Sequence, residues 1–113
     1  MNEDPNNLVI VTTTSDDREQ LEQIASALVE QRLAACCQIH GPISSIYMWQ
    51  GSVANTQEFG CTIKTTAGHI AAVKSKIHQM HKYDVPQIVV VKAIDVSTPY
   101  LRWVQSETGS AGA

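Results

Sequence analysis

The sequence predicts an α+β fold, with four strands and two helices in the order β–α–β–β–α–β and a short helix at the C-terminal end. Three observations point to it. Short β-branched runs alternate with stretches whose apolar residues recur every three or four positions, the periods of strand and helix. Two segments, VIVTTTSDDREQLEQI and CTIKTTAGHIAAVKSKI, share one pattern of strand, threonines and amphipathic helix, a hint of internal repetition. The 113 residues, 43% hydrophobic and 17% charged, suffice for one globular core and not two.

The elements follow in order. Leu8–Thr13 (LVIVTT) reads as a buried strand. In the following TSDDRE, Ser15 or Asp16 can cap a helix, and Asp16 with Glu19 makes a capping box. Leu21, Ile24, Ala25, Leu28 and Val29, with Leu33 a turn later, give that helix one apolar face over about four to five turns. Ala35–Ile39 (ACCQI) reads as a strand, Gly41-Pro42 as punctuation, and Ile43–Trp49 (ISSIYMW) as a second extended run. Gln50-Gly51 looks like a hairpin tip. The return stretch holds Val53, then Phe59, Cys61 and Ile63 alternating with Gly60 and Thr62, and ends at Thr65-Thr66.

A second helix is expected from Ala67 to His81, with Ile70, Val73, Ile77 and Met80 as its stripe and Lys74 and Lys76 off it. Tyr83–Pro86 breaks it, because the residue before proline disfavours the helical region. Ile88–Ile94 (IVVVKAI) reads as the last strand. In Ser97-Thr98-Pro99, Thr98 is placed as the cap and Pro99 at the first helical position, with Tyr100, Leu101 and Val104 facing inward. Two such halves build a ferredoxin-like sandwich, both helices on one face of an antiparallel sheet. The boundaries read as a loose arm over 1–7, a single domain over 8–106 and a loose tail over 107–113. The stretch Ile43–Thr65 is longer than a minimal hairpin of this fold needs. Its Tyr47, Met48 and Trp49 are hard to cover within one small domain, so pairing with another subunit is expected.

Composition narrows the function. A net charge of −3 lacks the basic footprint of a nucleic-acid binder. No apolar run approaches the roughly 18 residues of a membrane span, and the opening MNEDPNN lacks the pattern of a secretory signal. The expectation is a cytoplasmic protein with no membrane insertion. The three cysteines, Cys36, Cys37 and Cys61, fit a reducing compartment and read as small buried hydrophobes. Cys36 and Cys37 should face opposite sides of a strand.

No Walker loop, GxGxxG, CxxC, HExxH or GxSxG occurs. Cys37 has no evident base partner for nucleophilic catalysis. An acylphosphatase would share the topology, but TTSDDRE is acidic where a phosphate would bind. An RNA-recognition domain would need aromatics on the middle strands, and neither LVIVTT nor GCTIKTT has any. Metal binding remains: His78 and His81 lie three apart on a helix, a spacing with no supporting framework. Alternatively His78 is a solvated helix residue and His81 a cation favoured at the helix C-terminus.

RLAACCQI (32–39), SSIYMWQG (44–51), Glu58 with Lys64-Thr65, HKYDVPQI (81–88) and YLRW (100–103) occur in order and at matching intervals. In these motifs the sequence resembles the CutA divalent-cation-tolerance family, over roughly Leu8–Val104. The resemblance implies a ferredoxin-like subunit close to the PII signalling proteins. It also implies a heat-stable homotrimer with hairpins pairing across subunits. It implies a link to copper and other divalent ions, with no catalytic reaction.

The family's segment after the second helix is His-Pro-Tyr, two residues, then Pro-Glu. Here His81, Tyr83 and Pro86 match, Lys82 stands for the proline and Gln87 for the glutamate. A cysteine that some bacterial members place at the end of the first strand corresponds to Thr12. Of that Cys/His/Glu set His81 alone survives, so it is the metal candidate, with weak affinity for copper or another divalent ion expected. No cofactor is required. Tyr47, Trp49, Glu58, Lys64, Tyr83 and Trp103 also match the family. The resemblance places several of them around a cleft between subunits, a candidate small-ligand site. Alternatively these aromatics are interface packing and Glu58–Lys64 a charge pair. The expected function is that of a non-enzymatic trimer of metal tolerance or signalling. A structural docking platform for an unknown membrane-protein or signalling partner, and an enzyme using the cleft, are the alternatives.

Overall fold

A computed structural model describes residues 4–109. Strand β1 (Leu8–Ser15) leads into helix α1 (Arg18–Glu30). Strands β2 (Cys36–Trp49) and β3 (Ser52–Thr66) form a long hairpin. A single 3-10 turn (Ala67–His69) opens helix α2 (Ile70–Met80), followed by β4 (Val89–Lys92) and α3 (Thr98–Glu107). The four strands form one antiparallel sheet in the order β2-β3-β1-β4, the expected ferredoxin-like topology.

Alternation along β1 sets the two faces. Val9, Val11 and Thr13 turn one way, opposite Thr65, Ile63 and Cys61 of β3. On that side lies the main core, with Leu21, Ile24 and Leu28 of α1 and Val73 and Ile77 of α2, each buried to 0% exposure. The other face is covered at one end only. There α3 sets Val104, Tyr100 and Leu101 against Leu8 and Ile10. Beyond α3, Val89 and Val91 of β4 remain 49% exposed.

Several boundaries differ from expectation, each for a local reason. Asp17 caps α1 by accepting the Gln20 N–H at 3.2 Å, while the Ser15 hydroxyl accepts the Asp17 N–H. Helix α1 ends at Glu30, and Val29 is exposed. Arg32 adopts φ 59°, the Arg32 N–H donates to the Val29 carbonyl and the Leu33 N–H to the Leu28 carbonyl. This is a Schellman closure with arginine where glycine is usual. It carries Leu33 off the helix yet packs it on the same core.

Gly41-Pro42 does not separate two strands. β2 runs through it with a register shift between His40 and Ile43. Gly41 has φ 129°, and a side chain there would meet Phe59 Cδ2 at 3.0 Å and the Glu58 carbonyl at 3.2 Å, so only glycine fits. Gln50 and Gly51, both with positive φ, make the expected two-residue hairpin tip. β4 is shorter than Ile88–Ile94, and Ser97 rather than Thr98 is the N-cap of α3.

At the ends, residues 1–3 and 110–113 of the expected arm and tail lie outside the described residues. The rest of both segments is tied down. Pro5 and Asn7 carbonyls accept the Gly68 and Ala67 N–H groups, and Gln105 Nε2 donates to the Asn6 carbonyl. Glu107 belongs to α3 and Thr108 is buried. Contacts with the fold thus extend to residues on both sides of 8–106.

Before Phe59, β3 has no second neighbour among the described residues: β1 pairs with it over Phe59–Thr66 only. Ile43–Trp49 and Ser52–Glu58 thus project as a two-stranded arm. The radius of gyration, 14.7 Å, exceeds the roughly 13 Å of a compact chain this long.

Candidate functional site

The site forms where the arm leaves the sheet. Three segments meet there: the end of β1, the base of the arm, and the turn between α2 and β4. That turn is fixed by side chains of the β1–α1 corner. Gln20 donates to the Met80 carbonyl at 3.3 Å and accepts the Lys82 N–H at 3.2 Å. Lys82 Nζ lies 2.9 Å from Asp16 Oδ1. Both partners are half exposed, so this pair orients the turn more than it stabilises it.

His81 is buried at the start of the turn, and both its ring nitrogens are engaged. Nε2 lies 2.7 Å from the Thr14 carbonyl and Nδ1 accepts the Tyr83 N–H at 3.0 Å. A carbonyl can only accept, so Nε2 carries the proton and Nδ1 offers the lone pair. The ring therefore bridges β1 to the turn as a neutral imidazole, its centroid 4.7 Å from that of Tyr83 and the two planes tilted by 50°.

A metal ion at either nitrogen would have to break one of these bonds. Among the described residues, no three His, Cys, Asp or Glu side chains converge. The residues present do not fit a metal centre at His81. His78 is exposed on α2, as the sequence allows.

Tyr83 reaches back under the sheet. Its hydroxyl accepts the Asp16 N–H at 3.0 Å and donates to Glu58 Oε2 at 2.9 Å. Burial and the Glu58 carboxylate both push the Tyr83 hydroxyl above its ordinary range, so it stays a neutral donor. Glu58 is 9% exposed.

A cleft of about 660 Å³ opens over this pair. Tyr47 and Trp49 line its arm side, on the same strand face as Ser45 and, across the hairpin, Thr56 and Glu58. Thr14 and Asp16 close it below, and Tyr83, Asp84, Val85 and Gln87 form the opposite wall.

Of the sequence-derived site residues, Tyr47, Trp49, Glu58 and Tyr83 come together here. Lys64 and Trp103 do not. Lys64 lies six positions along β3 from Glu58, about 20 Å on an extended strand, and donates to Gln38 Oε1 at 2.7 Å. Within one chain the Glu58–Lys64 charge pair is therefore not formed. Trp103 sits on α3, its ring 5.7 Å from that of Tyr100. His81 lies behind the cleft wall rather than on it, and Thr12 does not line it. Sequence reasoning missed Asp16 and Asp84 as cleft residues and Gln20 as the clamp. The only signal was the acidic TSDDRE, which reads as a helix cap; nothing local marks Asp84.

The cysteines behave as their alternation requires. Cys36 Sγ lies 3.5 Å from the Tyr100 hydroxyl on the α3 side. Cys37 Sγ points to the Ala25 carbonyl on the α1 side. The neighbouring Cys61, together with burial, pushes the Cys37 thiol up, away from the thiolate a nucleophile needs.

Comparison with known proteins completes the description. Residues 9–107 match the family described as CutA1 divalent ion tolerance protein. The divalent-cation tolerance protein CutA of Thermus thermophilus is 39% identical over 102 residues, which cover 90% of this chain and 97% of that one. The protein of the same name from Pyrococcus horikoshii is 34% identical, covering 89% of this chain and 98% of its own. A solved structure of the Thermus thermophilus divalent cation tolerance protein superposes with a TM-score of 0.87 at 38% identity, over 90% of this chain and 99% of that one. These relatives are named for tolerance of divalent cations and not for a reaction.

Proposed function

Because the chain belongs to the CutA1 divalent ion tolerance family, we propose that it acts in divalent-cation tolerance as a non-enzymatic cytoplasmic homotrimer that binds a small ligand in the cleft beside Tyr83. One observation carries the reading: the cleft is built around the Tyr83–Glu58 hydrogen bond and walled by Tyr47 and Trp49. Its lining contains no histidine, cysteine or lysine. The Thr56 hydroxyl donates to that of Tyr47, and the half-buried Tyr83 hydroxyl is held neutral by the carboxylate it serves. Such a cleft can bind and orient a ligand without activating a nucleophile.

The role in tolerance does not run through a copper site at His81, whose ring is spent on the Thr14 carbonyl and the Tyr83 N–H. The three free cysteines agree with a reducing compartment. Equilibrium dialysis against Cu(II), with a thermal-shift screen of divalent ions and small molecules, tests the proposal. The expected result is only weak copper binding, unchanged in His81→Asn, and midpoint shifts confined to small molecules. A micromolar copper site lost in His81→Asn, with unchanged circular dichroism, would contradict it.

A further inference from the structure

The cleft beside Tyr83 has a chemistry of its own. Two of its carboxylates, Glu58 and Asp84, have no cationic partner among the described residues, and the third, Asp16, is paired with Lys82. Glu58 is more than nine-tenths buried and spends only Oε2 on Tyr83, so Oε1 has no hydrogen-bond partner among the described residues. Tyr47 and Trp49, 41% and 61% exposed, stand on the same face of the arm as Glu58, and Asp84 lies on the wall opposite them.

Negative charge beside and opposite aromatic faces, with no lysine, arginine or histidine in the lining, selects against anions. It also argues against a bare divalent ion. A volume of about 660 Å³ far exceeds what an ion needs, and among the described residues no three ligating side chains converge. An organic cation satisfies all of it at once. An ammonium or guanidinium donates to the free Glu58 oxygen, and its apolar body lies against Trp49 and Tyr47.

We propose that the cleft between the arm and the 81–87 turn binds an organic cation, an amine or guanidine with an apolar body. Glu58 serves as the charge anchor, Asp84 as the rim charge, and Tyr47 and Trp49 as the aromatic wall. The inference rests on this cleft being the ligand site of the molecule.

Isothermal titration calorimetry of the full chain with benzylamine, benzyl alcohol and benzoate at neutral pH tests it. The amine is protonated under these conditions, and the three probes share one ring. Benzylammonium should bind once per chain, at least about tenfold more tightly than the alcohol or the benzoate, since a charge-assisted bond is worth that factor. Glu58→Gln should erase the preference for the cation. Because that buried variant can fail to fold, the exposed changes Trp49→Leu and Asp84→Asn supply a second readout. Each should weaken benzylammonium about three- to tenfold with unchanged circular dichroism. Equal affinities for the three probes would overturn the cation assignment and leave a ligand cleft standing. The same holds if the alcohol or benzoate binds best. No binding by any of the three overturns the assignment and the cleft reading together.

Discussion

Tyr83 shows how much one side chain can hold. Its hydroxyl accepts from the Asp16 backbone and donates to Glu58, so it ties the α2–β4 turn to the β1–α1 corner and to the arm. Tyr83→Phe would leave a buried carboxylate and a backbone N–H without partners. Chemical denaturation should show a loss of about 1–3 kcal/mol; a loss within error would mean solvent replaces both bonds.

His69 gives a pH signature. It is buried, with Nδ1 2.7 Å from the Thr66 hydroxyl. Burial holds its pKa below the ordinary 6.5, offset in part by the Gly109 backbone. Below 6.5 the unfolded chain therefore binds a proton that the folded chain resists. The stability from neutral His69 is complete above that pH and is lost as the pH falls toward the folded value. Melting temperatures measured downward from neutral pH should drop less steeply in His69→Gln than in the parent; parallel slopes would contradict the assignment. At this scale the sequence was half legible. Glu58 and Tyr83 were identifiable only through family resemblance, because their contact spans 25 positions and depends on where two separate turns fold back.

At the scale of elements, periodicity located every strand and helix, while the ends followed backbone closures that leave little mark on sequence. The end of α1 is the clearest case. Its left-handed position is Arg32, not glycine, and the residue is held there by α3: Arg32 Nη2 donates to the Ser106 carbonyl at 2.6 Å, and the Arg32 carbonyl accepts the Gly109 N–H at 2.8 Å. A tertiary clasp thus offsets a backbone strain of about 1–2 kcal/mol. Arg32→Ala loses the guanidinium bond and keeps the strain, whereas Arg32→Gly loses the bond and relieves the strain. The glycine variant should be the more stable of the two by about 1 kcal/mol in thermal or urea melts. The reverse order would show that the left-handed position carries no strain. The same lesson applies to Gly41-Pro42, which reads as a strand break and is instead a bulge, after which β2 resumes its pairing with the register shifted by one residue.

At the scale of the whole molecule, the arm is the feature that one chain cannot justify. Its two strands have no third partner among the described residues, and Ile46, Met48 and Val53 stand 68%, 66% and 69% exposed on the face turned away from Tyr47 and Trp49. Isolated two-stranded hairpins are marginal in water. The sheet offers matching surfaces in its edge strand β4 and in the apolar Val89 and Val91 beyond α3. The need for a partner is legible in ISSIYMW itself, because aromatic and branched residues fill both faces of a strand too long for its domain. Which surface meets which is not legible there, since it depends on the geometry between copies.

Homotrimerisation through the arm is the central claim, and multi-angle light scattering at micromolar concentration tests it most directly. The parent should run at three times the 12.3 kDa chain mass, and Ile46→Lys with Met48→Lys should reduce it toward a single chain. A parent mass near 12.3 kDa would contradict the account.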